Sequence, residues 1–168
     1  SPYNDRRRSC ENVVAAIAAQ FPDRYFETLR DAEWTDLEAV RNKVSEEDYS
    51  RAHYVMGEKD RVLAVCEALN QGDYETVGQK MFETHDGLSN EYDVSCEELD
   101  FLNDVARECG VTGSRIMGGG FGGCTINLVK EERYDHFVEE VTKRFAAKYG
   151  HAPEIYPVVI SDGSHKVC

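Results

Sequence analysis

The sequence predicts an α+β fold, with a small, mostly antiparallel sheet and helices packed on one side of it. Three observations carry this expectation. Apolar residues recur at helical spacing up to Gly110, five of the 13 glycines crowd into Gly118–Gly123, and the segments flanking those glycines read as strands. A length of 168 residues suits one domain with a substantial core, and no low-complexity linker or internal repeat divides it.

The elements follow in order. From Arg7 onward Cys10, Val13, Val14, Ile17, Ala18 and Phe21 keep the spacing of an amphipathic helix, which Pro22 stops. Tyr3, in an X-Pro-Tyr context ahead of that helix, is expected on a loop. Shorter helices are predicted over 24–31 and 36–43, the second opened by Thr35 and Glu38 in capping-box spacing, and a longer one over 46–70. After the break at "QGDY", Tyr74, Val77, Met81, Phe82, His85 and Leu88 line one helix face. Ser95 and Glu98 read as a second capping box ahead of Leu99, Leu102, Val105 and Cys109, and Gly110 ends that helix.

Beyond Gly110 the period changes from helix to strand. "GSRIM" and "CTINLV" read as strands joined by the glycines, and Ile126 and Leu128 alternate as if one face were buried. Tyr134, Phe137, Val138, Val141 and Phe145 mark a last amphipathic helix ended by Gly150. "PEIYPVVI" and "HKVC" read as two further strands joined across Asp162 and Gly163, with Pro157 placing the first at an edge.

Charge narrows the partners. The 32 acidic residues against 19 basic ones give a net charge of -13, which repels nucleic-acid backbones and anionic membrane surfaces, so neither is an expected partner. Arg6 to Arg8, the densest basic run, reads as a solvated helix face, and Arg115 stands just before the glycines. Six cysteines without a CxxC pair or a secretory signal fit free thiols in a reducing cytoplasm, the expected location. No apolar run approaches the ~20 residues a membrane helix needs. Opening at "SPYNDRRR" without a Met, the chain reads as part of a longer protein.

Gly118, Gly120 and Gly123 satisfy GxGxxG, but the dinucleotide fingerprint requires a helix after the loop, and a β-branched, alternating segment follows instead. No Lys-Ser or Lys-Thr pair follows either, which removes the P-loop reading. What remains is a glycine-lined turn between strands, where missing Cβ atoms admit positive φ and close approach of a ligand or another backbone. Successive amides in such a turn form a nest suited to an anion.

Arg115 to Val129, "RIMGGGFGGCTINLV", resembles the C-terminal glycine motif of the GHMP sugar and metabolite kinases, and that of galactokinases most closely. "SPYNDRRRSC", "RAHYVMGE", "GDYETVGQKMFETHDGL", "YDVSCEELD" and "SDGSHKV" agree with that family in order and spacing, so the resemblance spans nearly all 168 residues. It implies a GHMP kinase C-terminal domain, ferredoxin-like with extra helices, over residues 1–168. It also implies an ATP-dependent phosphorylation of α-D-galactose to galactose 1-phosphate. The N-terminal domain of the family, with its nucleotide loop, catalytic Asp and most contacts to sugar, ATP and Mg2+, has no counterpart in the 168 residues. No catalytic residue and no metal ligand is therefore assigned here, this chain alone is expected to be inactive, and its partners are galactose and its own N-terminal domain.

By the same resemblance Tyr3 falls at a galactose contact, and Gly118, Gly119, Gly120, Phe121, Gly122 and Gly123 line the phosphate and sugar cleft. Met117 stands where many relatives carry threonine, which leaves the backbone as the acting group. Two alternatives stay open: a related kinase for another sugar such as N-acetylgalactosamine, and a non-catalytic sugar sensor. His53, His85 and Cys96 read as core or capping residues, and His165 with Cys168 are too few for a zinc site. Glu58 and Glu83 read as structural partners of arginines such as Arg51.

Overall fold

Helix α1 starts at Pro2 and runs to Gln20, a full turn earlier than the apolar spacing implies. Proline suits this first position, because its missing N–H would find no partner there and its φ is already helical. Tyr3 therefore stands on the first turn of α1 rather than on a loop. The structure, a computed structural model, describes residues 1–164 and Lys166.

Arg6, Ser9, Val13 and Ile17 form the buried row of α1. Val13 and Ile17 meet Leu37 of α2 (Trp34–Ala39) and Ala52 and Met56 of α3 (Glu46–Gln71), with Phe26, Leu29 and Val40 closing the cluster. Each large apolar side chain removed from water there contributes roughly 1.5–3 kcal/mol. The helix expected over 24–31 shrinks to one 3-10 turn, Leu29–Asp31, and that over 36–43 splits into α2 and a turn at Arg41–Lys43.

The cap of α2 also differs from Thr35 and Glu38. Asp36 is buried and accepts two hydrogen bonds from the Arg24 fork, at 2.6 and 2.8 Å, and one from the Glu33 amide at 2.9 Å. The Arg24 guanidinium holds the Asp36 carboxyl below the usual carboxylate range. Glu38 instead accepts from the Tyr49 hydroxyl.

Asp73 caps α4 (Tyr74–Asn90) by accepting from the Thr76 amide at 3.0 Å. The box predicted at Ser95 and Glu98 does not form. Cys96 occupies the cap of α5 (Glu97–Glu108) without a side-chain bond, and Ser95 donates to Asp100 at 2.5 Å. Strands β1 (Gly113–Met117) and β2 (Cys124–Leu128) pair antiparallel with Gly113 opposite Leu128 and Met117 opposite Cys124. Against α5, α6 (Glu131–Tyr149) buries Phe137 and Val141 on Val105, Ala106 and Cys109.

β1 is the strand the core holds. Gly113, Ser114 and Ile116 are buried, and Asn103 of α5 donates to the Ser114 carbonyl at 2.9 Å. Near the start of the strand α4 crosses main chain to main chain: a Cβ added to Gly78 would lie 1.9 Å from the Thr112 carbonyl oxygen, and one added to Gly113 would lie 2.5 Å from the Gly78 Cα. An isolated glycine inside a helical pattern marks such a crossing.

Two strand expectations fail. Ile126 is exposed and Leu128 only half-buried, so β2 lacks the sealed face its alternation implies. Residues 153–160 form no strand, and Ile155, Tyr156, Val158, Val159 and Ile160 are exposed. Among the described residues the sheet holds only β1 and β2, so this segment has no strand to pair with. Of "HKVC" only Lys166 is described; His165, Val167 and Cys168 lie outside the described residues.

Candidate functional site

The glycine loop is a six-residue connection between the paired ends of β1 and β2, Met117 and Cys124. Its backbone needs the glycines. Gly118, Gly120, Gly122 and Gly123 have φ of 85, 80, 117 and 92°, and Phe121 itself stands at φ 59°. At Gly120 the requirement is also one of space, because a Cβ would sit 2.2 Å from the Val94 carbonyl oxygen. The next amide, on Phe121, donates to that same oxygen at 2.6 Å, tethering the loop to the turn between α4 and α5.

Tyr3 covers the other flank. Its ring meets Phe121 edge-on, with centroids 5.4 Å apart and an interplanar angle of 83°, a favourable aromatic geometry. A Cβ on Gly119 would approach the Tyr3 ring at 2.9 Å and the phenol oxygen at 3.0 Å. Tyr3 is 53% exposed, and its hydroxyl has no hydrogen-bond partner among the described residues. Tyr3, Gly119, Gly120 and Phe121 thus form one surface. Gly118, Gly122 and Gly123 belong to the loop but have open space where a side chain would be.

Arg6 is the residue that sequence reasoning missed. It is buried rather than solvated, and it donates from Nε to the Tyr92 carbonyl at 3.1 Å and from Nη2 to the Asp93 carboxylate at 2.8 Å and to the Asp93 carbonyl. Its guanidinium also lies 5.2 Å from the Phe121 ring centroid. Extending the helical phase of Ile17, Val13 and Ser9 back by one turn reaches Arg6, and that signal separates it from the exposed Arg7 and Arg8.

The other candidates disperse. Arg115 turns along its strand, with Nη1 donating to the Ile116 carbonyl at 3.1 Å. His53 pairs with Glu91, and buried His85 lies 3.2 Å from an Asp100 oxygen. Burial pulls the His85 imidazole below its ordinary pKa, against the pull of Asp100 and Asp86. Glu58 accepts from Arg61 and Thr84, each at 2.6 Å, and Glu83 pairs with Lys80 at 2.8 Å. Neither reaches Arg51, which pairs with Glu47 and donates to the Ser9 hydroxyl at 3.0 Å.

A helical chain with a two-stranded antiparallel sheet and a glycine loop tethered between helices matches a known class. The family described as GHMP kinases C terminal matches residues 65–147 of this chain. Across its whole length it is similar to galactokinases. It is 38% identical over 169 residues to the galactokinase of Homo sapiens, covering 100% of this chain and 40% of that protein. With the galactokinase of Clostridium beijerinckii it shares 37% identity, over 99% of this chain and 43% of that one. A crystal structure of Lactococcus lactis galactokinase complexed with galactose superposes with a TM-score of 0.81 at 25% identity, covering 90% of this chain and 39% of that one. The chain therefore spans about two fifths of the length of the relatives it matches.

Proposed function

We propose that the full-length protein is a galactokinase, which transfers the γ-phosphoryl group of MgATP to the anomeric hydroxyl of α-D-galactose, and that residues 1–168 supply the C-terminal wall of its active-site cleft. The observation that carries this reading locally is the surface of Tyr3 on Gly119 and Phe121, where a half-exposed phenol stands beside amides in left-handed turns. A phenol of this kind can exchange a hydrogen bond with a sugar hydroxyl while its ring packs beside the pyranose. The loop, lacking charged side chains, offers its amides to an anionic oxygen.

Phosphoryl transfer is largely a matter of positioning and charge stabilisation, which suits a wall that acts through backbone. Among the described residues no group of three or more His, Cys, Asp or Glu side chains is placed to hold a metal ion. We assign Mg2+ and most of the ATP contacts to the N-terminal part of the full-length protein, which is also the physical partner of this chain. A cytoplasmic location accords with the free thiols of Cys10, Cys66, Cys96, Cys109 and Cys124. No helix among the described residues is long and apolar enough to cross a membrane.

Tyr3→Phe in the full-length protein tests the reading. Losing the hydroxyl should weaken sugar binding by about 1–2 kcal/mol, roughly a 5- to 30-fold rise in the KM for galactose, with the KM for ATP unchanged. An unchanged galactose constant, or an equal loss for both substrates, removes Tyr3 from the sugar site.

A further inference from the structure

The geometry points to Arg6 as a positioning residue for the glycine loop, an inference that rests on the proposed role of that loop at the cleft. Among the described residues two other than glycine stand in the left-handed region, Asp93 at φ 53° and Phe121 at φ 59°, and they belong to two turns that lean on each other. One hydrogen bond joins the turns, from the Phe121 amide to the Val94 carbonyl at 2.6 Å. A left-handed conformation costs an L-residue roughly 1–2 kcal/mol, so each turn requires outside support.

Arg6 touches both turns. Its fork holds the Tyr92 carbonyl and both the carbonyl and the carboxylate of Asp93, and its face lies on the Phe121 ring. Tyr3, one helical turn earlier, meets the same ring from its edge. The first turns of α1 thus grip Phe121 with an aromatic and a cation, while the arginine fixes the turn whose Val94 carbonyl accepts from the Phe121 amide. Arg6 itself is 8% exposed and faces protein rather than cleft, so it acts on the reaction through Phe121 and the Val94 carbonyl.

The test compares Arg6→Lys, Arg6→Gln and Asp93→Asn in the full-length protein. Lysine keeps the charge without the fork, and glutamine removes both. Asparagine at position 93 tolerates the left-handed backbone and removes one ion pair whose carboxylate is 80% exposed, so this variant folds even where a change at Arg6 does not. Three quantities are read: hydrogen exchange at the Phe121 amide, kcat and KM for galactose phosphorylation, and thermal melting.

Phe121 exchange should rise about 10-fold or more in Arg6→Gln, less in Arg6→Lys and least in Asp93→Asn. The kcat should fall in the same order, up to about 100-fold, as expected for a displacement near 1 Å, with the KM for ATP little changed. Unaltered Phe121 exchange in Asp93→Asn and Arg6→Lys overturns the inference. So does a rise of equal size over all the helices, which is the mark of a purely structural arginine. If the wild-type protein does not phosphorylate galactose, the proposed function falls, while the exchange at Phe121 still decides the role of Arg6.

Discussion

Alanine at Gly120 and at Gly118 separates the two demands that the loop makes on its glycines. The two positions have nearly the same positive φ, 80 and 85°, so a conformational cost for a Cβ, roughly 1–2 kcal/mol, falls on both. They differ in space. At Gly118 nothing lies within 4 Å of the added atom, whereas at Gly120 it would stand 2.2 Å from the Val94 carbonyl oxygen and 2.9 Å from the Val94 Cβ. Relief requires the loop to retreat from Val94 and surrender the Phe121 amide bond, which costs about 1–3 kcal/mol if the carbonyl is left unpaired. Gly120→Ala should therefore cost about 2–5 kcal/mol and Gly118→Ala about 1–2. Urea unfolding of both full-length variants measures the difference, and exchange at the Phe121 amide detects a loop that lets go locally instead. Equal destabilisation together with equal Phe121 exchange would refute the reasoning, leaving positive φ as the whole explanation.

Gly78→Ala tests the crossing of α4 over β1. Helix propensity alone favours alanine by about 1 kcal/mol, but a methyl 1.9 Å from the Thr112 oxygen should reverse the sign and cost a net 2 kcal/mol or more, read as a lower urea midpoint; a gain in stability would dismiss the close contact. His85 predicts a pH dependence. Its folded pKa is depressed by burial, so the unfolded state takes up the proton first as pH falls, and the stability present above the ordinary histidine pKa declines from there down to the folded pKa. His85→Gln should flatten the fall in stability as the pH drops below the ordinary histidine pKa, and identical slopes in variant and wild type would exclude it.

The helices were legible because their apolar residues repeat at a period that no other element shares. Val13 and Ile17 point inward on α1, and Leu99 and Val105 on α5, as their spacing implies. Caps were less legible: Thr35 and Ser95 have the right spacing, yet buried Asp36 and the Ser95–Asp100 bond take the partners that a local rule would allot elsewhere. The strand expected over 153–160 failed because β-branched composition signals a preference for pairing and says nothing of a partner. At the site, the glycine run announced close approach but not to what. Val94 and Arg6 lie 26 and 115 residues before Gly120 and Phe121 respectively, and contacts at such separations leave no local period to read.

The crossing of Gly78 over Thr112 has a mechanical consequence. Where main chain bears on main chain, no side-chain rotamer is available to absorb a displacement, so α4 and the root of β1 must move together. The loop leaves the far end of that strand at Met117 and is pinned again at Phe121, by the bond to Val94. Its glycines are therefore short links between fixed points, free to bend about their ends while their ends stay put. A span suspended in this way can bend to an incoming group and return to the same shape, because the compliance lies in the links and the memory in the anchors.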